Sequence, residues 1–259
     1  MMVRDFAACT ALVTGSSSGI GFEIAAQLAE AGAPRVMLNG RDQGRGEKGC
    51  ARLKARAPNT NVRFTAADPT KQTEAIRLVE ETVAQFGSVD ILVTSLSGHL
   101  MPRPFHEIPF EGIDQLIDAH LSSVLYTCRA ALPHMVAREG GVILAMASDA
   151  AKIATPGEVV VGAAKAAVVM FARTLALEAS RHGIRVHAIT PSIVKGTDAY
   201  DRAMASEFSR KIMQKAEGRA RLGVVTPKEI AALAVFLASP AAAKITGQAI
   251  SVNGGISAA

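Results

Sequence analysis

The chain of 259 residues has no tryptophan, two tyrosines and three cysteines, and charge breaks every apolar run well short of a membrane span. Each shortage excludes something. Cys9, Cys50 and Cys128 lie far apart, with no C-x-x-C spacing and no histidine cluster, so neither a disulfide framework nor a zinc or other metal site is indicated. Met1-Met2-Val3-Arg4-Asp5-Phe6 carries no apolar export signal, and a reducing, cytoplasmic setting without membrane insertion is the expectation. The scarcity of aromatics also bears on the net charge of +5. Arg41, Arg45, Lys48, Arg52, Lys54, Arg56 and Arg63 concentrate positive charge, yet only Phe64, at the edge of that stretch, offers a ring on which a base can stack. Nucleic acid is therefore not the expected partner. A basic helix beside a phosphate-bearing small molecule accounts for the same cluster.

What is present is a large apolar fraction, 49%, enough for one substantial core, and a recurrent alternation of short apolar runs with longer amphipathic ones. Ala11-Leu12-Val13 runs into Thr14-Gly15-Ser16-Ser17-Ser18-Gly19-Ile20-Gly21 and then into Phe22 to Ala29: strand, glycine-rich turn, helix. Such a turn lets backbone approach a ligand where a Cβ would clash, and the helix behind it presents unpaired N–H groups to an anion. Its spacing, G-x-x-x-G-x-G, differs from the commonest dinucleotide fingerprint, so an ordinary strand-to-helix turn is the competing reading. Periodicity places further strands near 35–39, 62–66, 89–95, 141–147, 184–190 and 248–252, with helices at 19–32, 42–57, 70–87, 111–138, 157–182 and 227–238. Runs such as Ile91-Leu92-Val93 and Val142-Ile143-Leu144 are apolar on both pleat faces, as in a parallel sheet covered on each side. The fold expected is a doubly wound, Rossmann-like three-layer α/β sandwich with a seven-stranded parallel sheet, a single domain over 1–259. The irregular stretch 191–226 is expected to form a mobile lid.

Taken together these residues resemble the short-chain dehydrogenase/reductase family over nearly the whole chain. Thr14, Gly15, Gly19, Ile20 and Gly21, with Ser16 and Ser18 between them, match its cofactor turn; Asp68 matches the acid that contacts adenine. Ser148 stands at its catalytic serine and Lys165 at the lysine of Y-x-x-x-K. Pro191 through Thr197 resembles P-G-x-x-x-T, and Ile245 to Gln248 with Val252 to Gly255 resembles its C-terminal signature. The resemblance implies a nicotinamide cofactor, a small-molecule substrate and a homotetramer or homodimer. The end of the second strand, Asn39-Gly40-Arg41, has no acid to accept from a ribose 2′-hydroxyl and instead offers a guanidinium, which suits a 2′-phosphate: NADP(H) is expected over NAD(H).

The match fails at the reaction end. Four residues before Lys165 stands Val161, where the family has its proton-transferring tyrosine; His120 stands at its asparagine; and Thr94-Ser95-Leu96-Ser97-Gly98 keeps only Gly98 of N-N-A-G. Candidate substitutes for the missing acid are His120, whose ordinary pKa suits proton exchange near neutrality, His99 at a strand's carboxyl end, and Tyr200 in the lid, which also reads as a substrate contact alongside Ser148 and Val161. Three functions stay open: an NADP(H)-dependent oxidoreductase reducing a conjugated enone or enoyl group, as the 2,4-dienoyl-CoA reductases, which also lack that tyrosine, do; a nucleotide-binding scaffold or sensor; and a non-redox elimination. Lid residues Arg202, Arg210, Lys211, Lys215, Arg219 and Arg221 either meet an acidic substrate such as an acyl-CoA or line a solvated helix.

Overall fold

The structure, a computed structural model, describes residues 5–259; the reading of Met1 to Arg4 lies outside them. Seven strands, β1 (Thr10–Val13), β2 (Arg35–Gly40), β3 (Asn61–Ala66), β4 (Ile91–Thr94), β5 (Gly141–Met146), β6 (Ile184–Pro191) and β7 (Ala249–Val252), form one parallel sheet in the order β3-β2-β1-β4-β5-β6-β7. The order reverses between β1 and β4. That is the switch point outside whose carboxyl ends an open α/β sheet leaves a crevice.

Helices α1 (Gly19–Glu30), α2 (Gln43–Arg56), α3 (Gln72–Phe86), α4 (Phe110–Ile117), α5 (Ser123–Ala137), α6 (Val159–Ser180), α7 (Asp198–Ala205), α8 (Glu207–Glu217) and α9 (Pro227–Ala238) complete the chain. The period-2 alternation of the strands divides the core in two. Val13, Leu38 and Leu144 pack against Phe22, Ile24 and Leu28 of α1 and Ile230 and Leu237 of α9. Leu12, Met37 and Ile143, one residue out of phase, meet Leu78, Val124, Met135 and Val168 from α3, α5 and α6 on the opposite face. Each such side chain withdrawn from water contributes about 1.5–3 kcal/mol, which is why β1 and β4, buried at every position, carry only Thr10 and Thr94 as polar residues. Local signals act as their chemistry requires: Thr226 caps α9 in a reciprocal box with Glu229, and Pro227 occupies the first turn. By length and composition alone α6 would pass for a membrane span, but it packs along β6 and buries Lys165.

Two elements differ from expectation. The 191–226 stretch holds two helices, α7 and α8, hinged at Ser206, which ends one and caps the other. They bury only Ala203 and Ser209 respectively, so the apolar periodicity that announces a helix is nearly absent from them. The helix read at 111–138 is continuous, but residues Asp118 to Ser122 form a π-helical turn between α4 and α5, at the position of His120.

Candidate functional site

The glycine-rich turn sits at the carboxyl end of β1. Gly15 has φ +60° and Gly19 φ +61°, a region L side chains avoid, and a Cβ on Gly15 would lie 2.5 Å from the carbonyl oxygen of Ser95. The turn is tied down from beneath. Ser16, fully buried, donates to the Val13 carbonyl (2.6 Å) and accepts from the Asn39 N–H (2.9 Å), while the Asn39 amide donates to the carbonyls of Thr65 and Ala67. The Ser16 hydroxyl is thus spent inside the protein and is not presented to a ligand. Ser18 caps α1 without a side-chain hydrogen bond to it, so it leaves the first-turn N–H groups of Gly19, Ile20 and Gly21 unspent. Thr14 Oγ1 accepts from the Ser95 N–H (3.1 Å), and a Cβ on Gly19 would meet only the Thr197 methyl, at 3.8 Å. Thr197, behind the buried Pro191, caps α7 by accepting from the Tyr200 N–H.

Basic side chains gather at one end of this cleft. Arg41, exposed beyond β2, is hydrogen-bonded to His99 Nε2. Arg45 donates to Ser18 Oγ (3.0 Å) and to Asp198 Oδ2 (2.7 Å), joining α2 to the start of α7. Asp68 holds a turn by accepting from the Thr70 N–H and hydroxyl. Burial, followed by the positive fields of Arg41 and Arg202, lowers the pKa of His99. His99, a candidate for the reaction end, therefore lies instead beside Arg41 and within the field of Asp68.

At the other end, α6 brings Lys165 under the turn that follows β5. Its ammonium is buried, donates to the Met146 carbonyl (2.7 Å), and is brought down to about 8 by desolvation, so it is mostly protonated at neutral pH with two N–H bonds to spare. Ser148 accepts from the Ala150 N–H (3.2 Å) and keeps its own proton for a ligand. Val161 lines an open pocket with Leu100, Met101, Ile108, Leu116 and Val160.

His120 faces that region from the π-helical turn. A backbone N–H can only donate, so the 3.3 Å contact from the Gly98 N–H makes Nε2 the acceptor and puts the ring proton on Nδ1, a buried atom with no hydrogen-bond partner among the described residues. Burial, then the Lys165 charge, holds its pKa at about 3. This corrects the sequence reading: the ring stays neutral near pH 7 and cannot exchange protons there as an ordinary histidine would. Tyr200 is also committed elsewhere, its phenol donating to Glu217 Oε1 (2.7 Å) between α7 and α8; that bond, above all, raises its pKa, so it is a weaker acid than usual.

Comparison with known proteins settles the family. A family model described as enoyl-(acyl carrier protein) reductase matches residues 15–257. The chain belongs to the short-chain dehydrogenase/reductase family. It is 32% identical over 255 residues to a D-beta-hydroxybutyrate dehydrogenase of Rhizobium meliloti, covering 95% of this chain and 97% of that one. It is 33% identical over 246 residues to a probable 2,4-dienoyl-CoA reductase of Bacillus subtilis, covering 94% of each. A solved short-chain type dehydrogenase/reductase from Mycobacterium ulcerans superposes with a TM-score of 0.88 at 29% identity, covering 96% of this chain and 89% of that one.

Members of this family use NAD(P)(H), and the residues present fit such a dinucleotide: a turn whose glycines admit backbone contact, a helix N-terminus with free donors, and a buried ammonium with unspent N–H bonds. Two residues were not singled out as site candidates by sequence: Arg45, read only as one of the basic cluster beside a phosphate-bearing molecule, and Glu158. Arg45 had a signal, its place three residues into the helix after β2, but no spacing rule links it to Asp198. Glu158 precedes Val161 by three residues and Lys165 by seven, the stripe of a single helix face, and that signal was in plain sight.

Proposed function

We propose that the protein is an NADPH-dependent reductase of a conjugated enoyl or enone substrate. The observation that carries this is Val161: the position that would bear the proton donor of carbonyl reduction forms apolar wall instead, while Ser148 and Lys165 remain in place. When bound, the cofactor supplies hydride, and a conjugated acceptor takes it at carbon, so its carbonyl oxygen needs polarising rather than full protonation. Ser148 donates to that oxygen. Lys165 would hold the cofactor's ribose through its spare N–H bonds and adds positive field, and neutral His120 orients Gly98 and the loop carrying it. The description of the matching family model and the Bacillus subtilis relative support the enoyl class.

NADPH is favoured over NADH by Arg41, with Arg45 and Arg202 close by and no acid at the end of β2. The segment from 191 to 226 acts as the lid: Ser209 on α8 donates to the Pro102 carbonyl (2.9 Å), above the pocket that Val161 lines. A homotetramer or homodimer is supported by Val159, Met170 and Leu177, which α6 leaves exposed.

A second reading, a nucleotide-binding scaffold, draws on the joint loss of tyrosine and asparagine at Val161 and His120. Single-turnover oxidation of bound NADPH against a panel of ketones, enones and enoyl thioesters separates the two. Tight binding with no acceptor consumed rejects the reductase; faster ketone than enoyl reduction rejects the substrate class.

A further inference from the structure

The reductase reading leaves the proton unassigned, since Val161 has none to give and both His120 and Tyr200 are disqualified by their surroundings. Two carboxyl groups stand near the site among the described residues, Asp149, which is tied to Ser257 and Asn253, and Glu158. Glu158 is the N-cap of α6: its own backbone is not helical (φ −116°, ψ 30°), but its carbonyl accepts the Gly162 N–H (2.6 Å), the first hydrogen bond of the helix. At 3.6 residues per turn, Glu158, Val161 and Lys165 lie on one stripe, and the last two face the reaction end. Gly157 beside it lines the same pocket as Val161. Gly162 is why the stripe can come so close to Ser148: a Cβ there would lie 3.0 Å from the Ala150 carbonyl oxygen, in the turn after β5.

Resting on the reductase reading above, we propose that Glu158, in its protonated form, is the acid that replaces the family's tyrosine. Glu158 is partly buried, and among the described residues its carboxyl group makes no hydrogen bond or ion pair that would keep it ionised. Asp149, in the turn after β5, adds negative field; it is fixed by the Ser257 hydroxyl (2.7 Å) and the Asn253 amide. Desolvation first, and Asp149 second, lift the Glu158 pKa to about 7. The other charges on neighbouring elements do not reach it: Lys152 in the same turn is hydrogen-bonded to Ser251, Lys165 lies two turns along α6, and Arg103 meets Gly157 through its backbone N–H. From α8 comes only Phe208, packed against Gly157.

The step balances simply. Hydride arriving at the β-carbon of the enoyl group brings an electron pair, and the pair displaced toward the carbonyl returns to form a C–H bond at the α-carbon. The proton for that bond leaves the Glu158 carboxyl, and the carboxylate is reprotonated from water.

Protonation and turnover are read separately. Infrared titration of the protein should show a protonated-carboxyl band that fades near pH 7 and is missing from Glu158→Gln; a wild type without that band overturns the assignment by itself. Single-turnover oxidation of bound NADPH by an enoyl thioester should fall above about pH 7 in wild type and slow on the order of 10²- to 10⁴-fold in Glu158→Gln, losing that pH limb. Adding Val161→Tyr to Glu158→Gln should recover rate by returning an acid four residues before Lys165. A Glu158→Gln variant as fast as wild type at every pH overturns the assignment and leaves the reductase standing. A wild type that binds NADPH but oxidises it with none of the acceptors overturns the reductase and, with it, the donor role.

Discussion

Lowering the pH from about 7.5 to about 5.5 should separate the buried titrating groups by their opposite signs. His120 and His187 are buried neutral, with pKa values of about 3 and about 4 against an ordinary 6.5; His187 owes its value to burial and then to the Arg185 charge. The unfolded chain binds protons that these rings refuse, so their contribution falls as pH falls below 6.5. Glu158 runs the other way. Its folded value of about 7 lies above its ordinary 4.5, so the folded state binds the extra proton, and that stability is gained as pH falls through 7. Over this interval the linkage relation gives a loss of roughly 1–2 kcal/mol for each histidine and a gain of roughly 2 kcal/mol for Glu158, a small net loss. Glu158→Gln should therefore lose about 3 kcal/mol, and His120→Asn should stay nearly flat, each compared with wild type so that other groups cancel. Urea unfolding midpoints at the two pH values, converted with a common m-value, measure this. Parallel losses in wild type and Glu158→Gln refute the buried, protonated carboxyl; parallel losses in wild type and His120→Asn refute the neutral ring.

Arg41→Glu should cut NADPH affinity by about 10- to 100-fold, the worth of a charge-assisted hydrogen bond, while sparing NADH; calorimetric titration with each cofactor decides it, and an unchanged preference counts against Arg41 as the 2′-phosphate ligand. Lys165→Met should weaken binding of either cofactor in the same titrations, since its spare donors are lost. Gly98→Ala places a methyl 2.9 Å from His120 Nε2 and should cost about 1–3 kcal/mol, visible as a lower thermal midpoint. A variant that melts with wild type would mean that the loop moves freely away from the ring.

Most of the sheet was legible because its strands are buried on both faces and so leave unbroken apolar runs, as in Ala11-Leu12-Val13. The order of those strands is not written in any local pattern, and only the structure supplies it. The glycine turn could be read because its φ angles and close approaches allow only one residue type. Helices α7 and α8 could not, because they are held over the cleft by single contacts such as Arg45 with Asp198 and Ser209 with Pro102, which leave no periodic trace. The histidines mislead for a related reason. Side-chain chemistry in isolation makes His120 a proton carrier and His99 a residue of the reaction end, whereas burial beside Lys165 keeps the first neutral and contact with Arg41 puts the second at the basic end of the cleft.

The π-helical turn at Asp118 to Ser122 carries a consequence for how this helix can change. Gly112, Leu116, His120, Val124 and Cys128 are all buried, a strict spacing of four. At 3.6 residues per turn such a row drifts by about 40° at each step and would wind about 160° round a regular helix, carrying its last members away from the sheet. The wider turn absorbs about one residue, roughly 100° of that drift. It acts as a phase correction, letting one rod address the reaction end with its first half and the hydrophobic core with its second. Removing a single residue there would not shorten a loop; it would rotate His120 off Gly98 or Cys128 and Met135 out of the core, so the helix tolerates substitution along its length but not a change in its count.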